Sequence, residues 1–150
     1  MSKIIECVPN FSEGTDQTKI NSIVSSIKSI QGVTILDCDP GLDTNRTVVT
    51  FVGEPKSVIE AAFQGIKRAS ELIDMSLHKG THPRIGATDV CPIIPVNGVS
   101  MEECIKYSII LAKKVGFELN IPVYLYEKSA ISPSRGNLAS IREGEYEGLE

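Results

Sequence analysis

The sequence of 150 residues predicts one α/β domain over residues 1–150, of the α+β type. Its predicted order is the ferredoxin-like β-α-β-β-α-β with an added α-β. Two observations lead to this fold: apolar residues recur with helical spacing in two long segments, and short runs rich in Ile, Val and Thr stand between them. We expect one mixed, antiparallel-rich sheet with helices packed on it.

Five short segments rich in β-branched residues and bounded by Pro, Gly or Asn predict the strands. They cover residues 4–8, 33–38, 46–52, 90–96 and 122–126. The first is expected to end at Pro9-Asn10, and the second to run into a turn at Asp39-Pro40-Gly41. Pro92 and Pro95 predict an irregular or edge strand for the fourth, because proline has no amide hydrogen for the ladder.

Four segments predict helices, and they cover residues 17–30, 56–76, 100–119 and 137–142. The first two repeat apolar residues every three or four positions, as an amphipathic helix does. Thr15 or Asp16 is the expected N-cap of the first helix, because short polar side chains bind the free amides there. Ser100 and Glu103 have the spacing of a capping box at the start of the third.

Composition argues against several classes of function. A formal net charge of −4 disfavours a non-specific nucleic-acid binder, which needs a basic face, so no nucleic-acid partner is expected. No signal peptide is visible, and no segment approaches the roughly 20 apolar residues of a membrane helix. The four cysteines form no CxxC pair, which indicates reduced thiols in a cytoplasmic protein rather than zinc ligands.

Both histidines lie in the segment His78-Lys79-Gly80-Thr81-His82-Pro83-Arg84. Gly80 and Pro83 disfavour a helix, so the four-residue spacing of the histidines does not predict a metal site. Histidine titrates near neutral pH, which makes His82 a candidate proton carrier. A solvated basic loop is the alternative, in which His78 only complements the dipole of the preceding helix.

Two further loops combine polar residues with Gly or Pro at strand ends, and they cover residues 9–14 and 37–46. Asp37, Asp39 and Asp43 in the second loop lack the spacing of a calcium-binding EF-hand. Asp39 is interpreted as a carboxylate held at a strand end before Pro40. Turn formation alone explains each of these loops when it is taken singly.

Seven segments, taken together, resemble glutamate formimidoyltransferase, the transferase portion of formimidoyltransferase-cyclodeaminase. They are residues 8–14, 36–39 with 44–53, 72–76, 78–87, 89–96, 122–126 and 144–147. The resemblance covers nearly the whole chain and corresponds to the amino-terminal subdomain of that family. It implies a duplicated ferredoxin-like transferase that binds tetrahydrofolate in a cleft between two subdomains.

The resemblance also implies a reaction and roles for single residues. A formimidoyl group moves from N-formimidoyl-L-glutamate to N5 of tetrahydrofolate, in histidine degradation and one-carbon metabolism. His82 is then the catalytic base, and Asp39 is the candidate anion beside the amidinium. Asn10 is a candidate contact of the pterin or the amidine. Three cations are candidate partners of the substrate carboxylates: Arg46, Lys79 and Arg84.

The expected partners follow from the same resemblance. Tetrahydrofolate is a co-substrate, no metal is expected, and the cleft is completed by a second formiminotransferase subdomain or by a homo-oligomer. A non-catalytic folate-binding or protein-interaction module of the same descent is the alternative, because fold alone does not separate the two. An RNA-binding sheet is disfavoured by the acidic charge and by the lack of an aromatic RNP pattern.

Overall fold

The computed structural model describes residues 3–73, 87–121 and 123. In this part of the chain the elements are β1 Ile4–Cys7, β2 Asn10–Phe11, α1 Gln17–Lys28, β3 Val33–Gly41, β4 Arg46–Gly53, α2 Pro55–Leu72, β5 Thr88–Val90, β6 Ile93–Asn97 and α3 Met101–Glu118. The predicted helix over residues 137–142 lies outside the described residues, as does the predicted strand over residues 122–126 apart from Val123.

The six described strands form one sheet. β1 and β2 both pair with β4, and they keep the same register, since Cys7 pairs with Phe51 and Asn10 pairs with Val48. On the side away from β4, β1 pairs with β6 and β2 pairs with β5, where Val90 lies opposite Asn10. β1–β2 and β5–β6 therefore each behave as one long interrupted strand. With β3 beside β4, the order is β3, β4, β1–β2, β5–β6, which confirms the ferredoxin-like arrangement.

Every pairing among the described strands is antiparallel. The mixed character that we expected for the sheet is therefore not confirmed. The split β-α-β order accounts for the result, because each helical crossover joins strands that are separated by an intervening strand of opposite direction.

The first strand, β1, ends at Cys7, before Pro9, as the sequence predicts to within one residue. Pro9 lacks an amide hydrogen, but its carbonyl accepts a hydrogen bond from the amide of Val49 at 3.1 Å. The ladder therefore continues past the proline, and Asn10 and Phe11 form β2. Asn10 consequently lies in a strand and not in a loop.

β3 extends beyond its predicted end, through Asp39 and Pro40 to Gly41. Proline is tolerated there because β4 is the only partner of β3 in the part of the chain that the structure describes, which makes β3 an edge strand. The register shifts between Ile35 and Asp37, so Leu36 bulges out of the ladder.

The helix starts follow the sequence closely. The carboxylate of Asp16 accepts hydrogen bonds from the amides of Thr18 and Lys19, which identifies Asp16 as the N-cap of α1. The capping box of Ser100 and Glu103 at the start of α3 is confirmed. None of the helices described here is long and apolar enough to cross a membrane.

The core lies between one face of the sheet and the three helices. Buried and partly exposed residues alternate along β4, and Thr47, Val49 and Phe51 are buried. Side chains from α1, α2 and α3 pack against the buried positions of β1 and β4 in one continuous cluster. The opposite face of the sheet, called here the helix-free face, carries none of the described helices.

Candidate functional site

Asn10 and Asp39 lie in one row that crosses the sheet. Asp39 pairs with Val48, Val48 pairs with Asn10, and Asn10 pairs with Val90. Directly paired residues project their side chains to the same face, and Val48 alternates with the buried Thr47. Asn10 and Asp39 therefore both belong to the helix-free face, with backbones about 10 Å apart across two strand spacings.

Arg46 belongs to the same face, because it lies two residues before Val48 on β4. It pairs with Gly41, and Asp39 is two residues from Gly41 on β3. Arg46 and Asp39 are thus diagonal neighbours, with backbones roughly 7–8 Å apart. The structure brings a cation, a carboxylate and an amide from three separate strands to one end of the helix-free face.

The side chain of Asn10 is almost fully buried, with 5% of its surface exposed. Its Nδ2 donates a hydrogen bond to the carbonyl of Val8 at 3.0 Å. Its Oδ1 is buried and accepts no hydrogen bond among the residues that the structure describes. A buried acceptor without a hydrogen bond destabilises the folded state by about 1–3 kcal/mol. The amide of Asn10 therefore has one oxygen that is available to a donor.

The segments predicted as loops over residues 9–14 and 37–46 are in direct contact. The amide of Gly14 donates to Oδ1 of Asn45 at 2.8 Å, and Oγ1 of Thr47 donates to the carbonyl of Glu13 at 2.5 Å. Asn45 has a φ of 51°, a left-handed conformation that asparagine tolerates in tight turns. Gly14 packs so closely that a Cβ there would lie 2.2 Å from the carbonyl oxygen of Gly41. These contacts fix the segment after β2 against the β3–β4 hairpin.

Glu13 is a residue that the sequence reasoning missed. Only 8% of it is exposed, and its Oε2 accepts hydrogen bonds from the amides of Thr15 and Asp16 and from the hydroxyl of Thr15. The signal was present in the sequence, because an acidic residue just before a helix start can satisfy free amides and complement the helix dipole. Glu13 thereby ties the segment after Asn10 to the start of α1.

The segment that contains both histidines, with His78, Lys79, His82 and Arg84, lies outside the described residues. The structure does describe the chain that follows it. The carbonyl of Ala87 accepts a hydrogen bond from the amide of Ser12 at 2.8 Å. Ala87, three residues after Arg84, therefore lies beside the segment that follows Asn10.

The thiol of Cys38 stands between Asp37 and Asp39 in sequence, and burial together with these two carboxylates raises its pKa. Cys38 therefore keeps its proton near neutral pH and does not supply a thiolate nucleophile. Within residues 3–73, 87–121 and 123, no group of three His, Cys, Asp or Glu side chains is arranged to hold a metal ion.

Comparison with known proteins identifies the relatives of this fold. Residues 4–150 match the family described as "Formiminotransferase domain, N-terminal subdomain". The chain is 55% identical over 149 residues to Formimidoyltransferase-cyclodeaminase of Mus musculus, with 99% of this chain and 28% of that protein covered. It is 51% identical over 149 residues to Glutamate formimidoyltransferase of Streptococcus pyogenes serotype M1, with 99% and 50% covered.

A similar match extends to an archaeal protein. The chain is 47% identical over 144 residues to Glutamate formimidoyltransferase of Thermoplasma acidophilum, with 96% of this chain and 48% of that protein covered. The chain therefore spans about half the length of the relatives that carry this name.

By its fold, the chain is a ferredoxin-like α+β domain, and it corresponds to one part of each larger relative. More specifically, the chain belongs to the family of formiminotransferase N-terminal subdomains. The family resemblance that the sequence motifs predicted is confirmed.

Proposed function

We propose that this chain is the amino-terminal part of a glutamate formimidoyltransferase. The observation that carries the proposal is the placement of Asn10, Asp39 and Arg46 together on the helix-free face of a member of this family. Relatives sharing about half of its residues are named for transfer of the formimidoyl group. The proposed substrates are N-formimidoyl-L-glutamate and tetrahydrofolate, with tetrahydrofolate as co-substrate and no metal.

The reaction needs one group that moves protons and several that hold charge. N5 of tetrahydrofolate attacks the amidine carbon and loses a proton, and the departing glutamate nitrogen gains one. His82 is proposed to accept the first proton and to donate the second, because a group with a near-neutral pKa can act in both directions. Asp39 is proposed to stabilise the positive amidinium. Charge-assisted hydrogen bonds from Arg46, Lys79 and Arg84 suit the carboxylates of glutamate and of the folate tail.

Asn10 is proposed to orient the pterin or the amidine. Its Nδ2 is engaged with the carbonyl of Val8, which fixes the rotation of the amide group. The buried Oδ1 can then accept one N–H from a bound substrate. That hydrogen bond compensates the desolvated oxygen, so binding gains selectivity for a ligand with a donor at this point.

The helix-free face also supplies a docking surface for the rest of the transferase. Ile94 and Val96 on β6 are 41% and 53% exposed on this face, beside Glu6 of β1. Exposed apolar side chains in a group mark a surface that a partner covers. We propose that a second subdomain, or a second copy of the chain, covers Ile94 and Val96 and extends along the helix-free face to Asn10 and Asp39. This cover would close the folate cleft, in a protein that we propose to be cytoplasmic.

The test is a complementation assay. The chain is mixed with the second subdomain as a separate polypeptide, together with formimidoylglutamate and tetrahydrofolate, and formation of formimidoyl-folate is followed. The chain alone is expected to turn over poorly, because half of the groups that position the substrates are missing. Efficient turnover without any addition would contradict this two-part proposal.

In the complemented enzyme, His82→Ala is expected to lower turnover by about 100- to 10,000-fold while the thermal unfolding temperature stays unchanged. His78→Ala is the matched control, because it removes the same side chain from the same segment. Wild-type turnover in His82→Ala would exclude the proposed base. Folate binding without any transfer in the complemented wild type would favour the non-catalytic module.

A further inference from the structure

Two of the four cysteines are in direct contact. The Sγ atoms of Cys7 and Cys91 lie 3.5 Å apart, close enough for a hydrogen bond between the thiols. Cys7 ends β1 and is fully buried, whereas Cys91 lies between β5 and β6 and is partly exposed. All four cysteines are free and fall within the described residues, where no second thiol pair of this kind is formed.

The sheet register places both thiols on the helix-covered face. Cys7 pairs with Ile93, so Cys91 is its diagonal neighbour on the adjacent strand. Diagonal neighbours have Cα atoms about 7–8 Å apart, slightly beyond the usual range for a disulfide. Bond formation therefore requires a small backbone shift. The register of β2 with β5 shifts between Asn10 and Phe11, close to Cys91, and an irregular ladder accommodates such a backbone shift.

We propose that Cys7 and Cys91 form a site of reversible disulfide formation, with a small-molecule disulfide such as oxidised glutathione as the oxidant. The thiolate of Cys91 attacks one sulfur of the oxidant and expels one thiolate, leaving a mixed disulfide on Cys91. Cys7 then loses its proton to solvent, attacks Sγ of Cys91 and expels the second thiolate. The two protein thiols are oxidised, and the small disulfide is reduced to two thiols.

The environments of the two thiols set the order of these steps. The hydrogen bond with Cys91 and then burial raise the pKa of Cys7 well above its usual value. Cys7 therefore stays protonated and shielded, and the partly exposed Cys91 reacts first with a bulky oxidant. The second step depends on the small thiolate fraction of Cys7, so its rate is expected to rise about tenfold per pH unit below that pKa.

The bond would join β1 to the chain between β5 and β6, one residue from Val90. Since Val90 lies opposite Asn10, oxidation would shift the backbone beside the buried Oδ1 of Asn10. A disulfide that needs such a shift is strained, and strained disulfides are the more easily reduced ones. The pair is therefore suited to respond to the redox poise rather than to serve as a permanent crosslink.

The experiment uses the full 150-residue chain. The chain is incubated with mixtures of oxidised and reduced glutathione, quenched with acid, and analysed by intact mass and by peptide mapping without reduction. The expected product has lost the mass of two hydrogen atoms, contains a Cys7–Cys91 crosslinked peptide and returns to the free thiols with dithiothreitol. A crosslink between any other pair, a stable mixed disulfide on Cys91, or no reaction would overturn the proposal.

Two variants sharpen the assay. Cys91→Ser keeps the buried Cys7 intact and is expected to lose the crosslink, with an unchanged circular dichroism spectrum. Cys38→Ser is the matched control, because it removes another partly buried thiol that lies outside the pair, and it is expected to form the crosslink as the wild type does. Retention of the two-hydrogen mass loss in Cys91→Ser would refute the assignment of the pair.

Discussion

Gly14 joins the segment after β2 to the β3–β4 hairpin, and a single methyl group tests that junction. In Gly14→Ala the new Cβ would lie 2.2 Å from the carbonyl oxygen of Gly41 and 2.6 Å from the amide nitrogen of Arg46. Both are backbone atoms, so neither can rotate out of the way as a side chain could. The two segments must separate, and the hydrogen bond from Gly14 to Asn45 is lost with them.

The size of the effect follows from three terms. Overpacking against backbone costs about 1–3 kcal/mol, and the broken hydrogen bond costs about 0.5–1.5 kcal/mol. Alanine also restricts the unfolded chain, which offsets the loss by about 0.4–1 kcal/mol. We therefore expect the free energy of unfolding to fall by about 2 kcal/mol, which corresponds to roughly 4–8 °C in the melting temperature of a domain of this size.

The assay is urea unfolding followed by far-UV circular dichroism. Gly116→Ala is the matched control, since a Cβ at Gly116 in α3 meets only the carbonyl oxygen of Ile121 at an ordinary 3.8 Å. This variant should be more stable than the wild type by about 0.5–1 kcal/mol, because alanine favours a helix interior over glycine. Equal loss of stability in both variants, or a Gly14→Ala value within about 0.5 kcal/mol of the wild type, would refute the reasoning.

Two further substitutions test the helices. Ser100→Ala should cost about 1 kcal/mol in urea unfolding, because the hydroxyl of Ser100 accepts the amide of Glu103 at 3.1 Å and caps α3; unchanged stability would contradict the capping box. The ammonium of Lys114 donates a hydrogen bond to the carboxylate of Glu60 at 2.5 Å and lowers the pKa of Glu60 below the ordinary 4.5. The pair therefore stabilises the fold above pH 4.5, and this stabilisation is lost as the pH falls through the lowered pKa of Glu60. Glu60→Gln should therefore be less stable than the wild type at pH 7, by at most about 1 kcal/mol for so exposed a pair. The difference should vanish once the pH has fallen through the lowered pKa of Glu60; a difference that persists below that pKa would contradict the assignment.

The helices were predictable because their signals are local. Asp16, Ser100 and Glu103 cap their helices as the sequence indicates, and α1 ends two residues before its predicted end. The strand limits were less predictable because they depend on partners distant in sequence. β1 ends before Pro9, yet the hydrogen bond from the amide of Val49 to the carbonyl of Pro9 keeps the chain beside β4, where β2 then forms. Pro40 is likewise accepted because β3 lies at the edge of the described sheet.

In the candidate site, too, the residues were predictable from local sequence, whereas their arrangement in space was not. The motifs identified Asn10, Asp39 and Arg46, but no periodicity indicated that they share one face. That result depends on the register of β4 with both of its neighbours. The burial of Asn10 and the role of Glu13 also depend on tertiary packing. The positions of Lys79, His82 and Arg84 remain predictions.

The position of the first strand has a consequence for synthesis on the ribosome. β1 lies inside the described sheet, between β4 and β6, although it precedes both of them in the chain; Ile5 pairs with Gly53 on one side and Pro95 on the other. Its second neighbour emerges only after β3, β4 and α2 have been translated. Until then the nascent chain displays an unpaired, apolar strand edge, and edges of this kind are prone to misassociation. Expression of this domain should therefore depend on what protects the unpaired edge of β1 while translation proceeds.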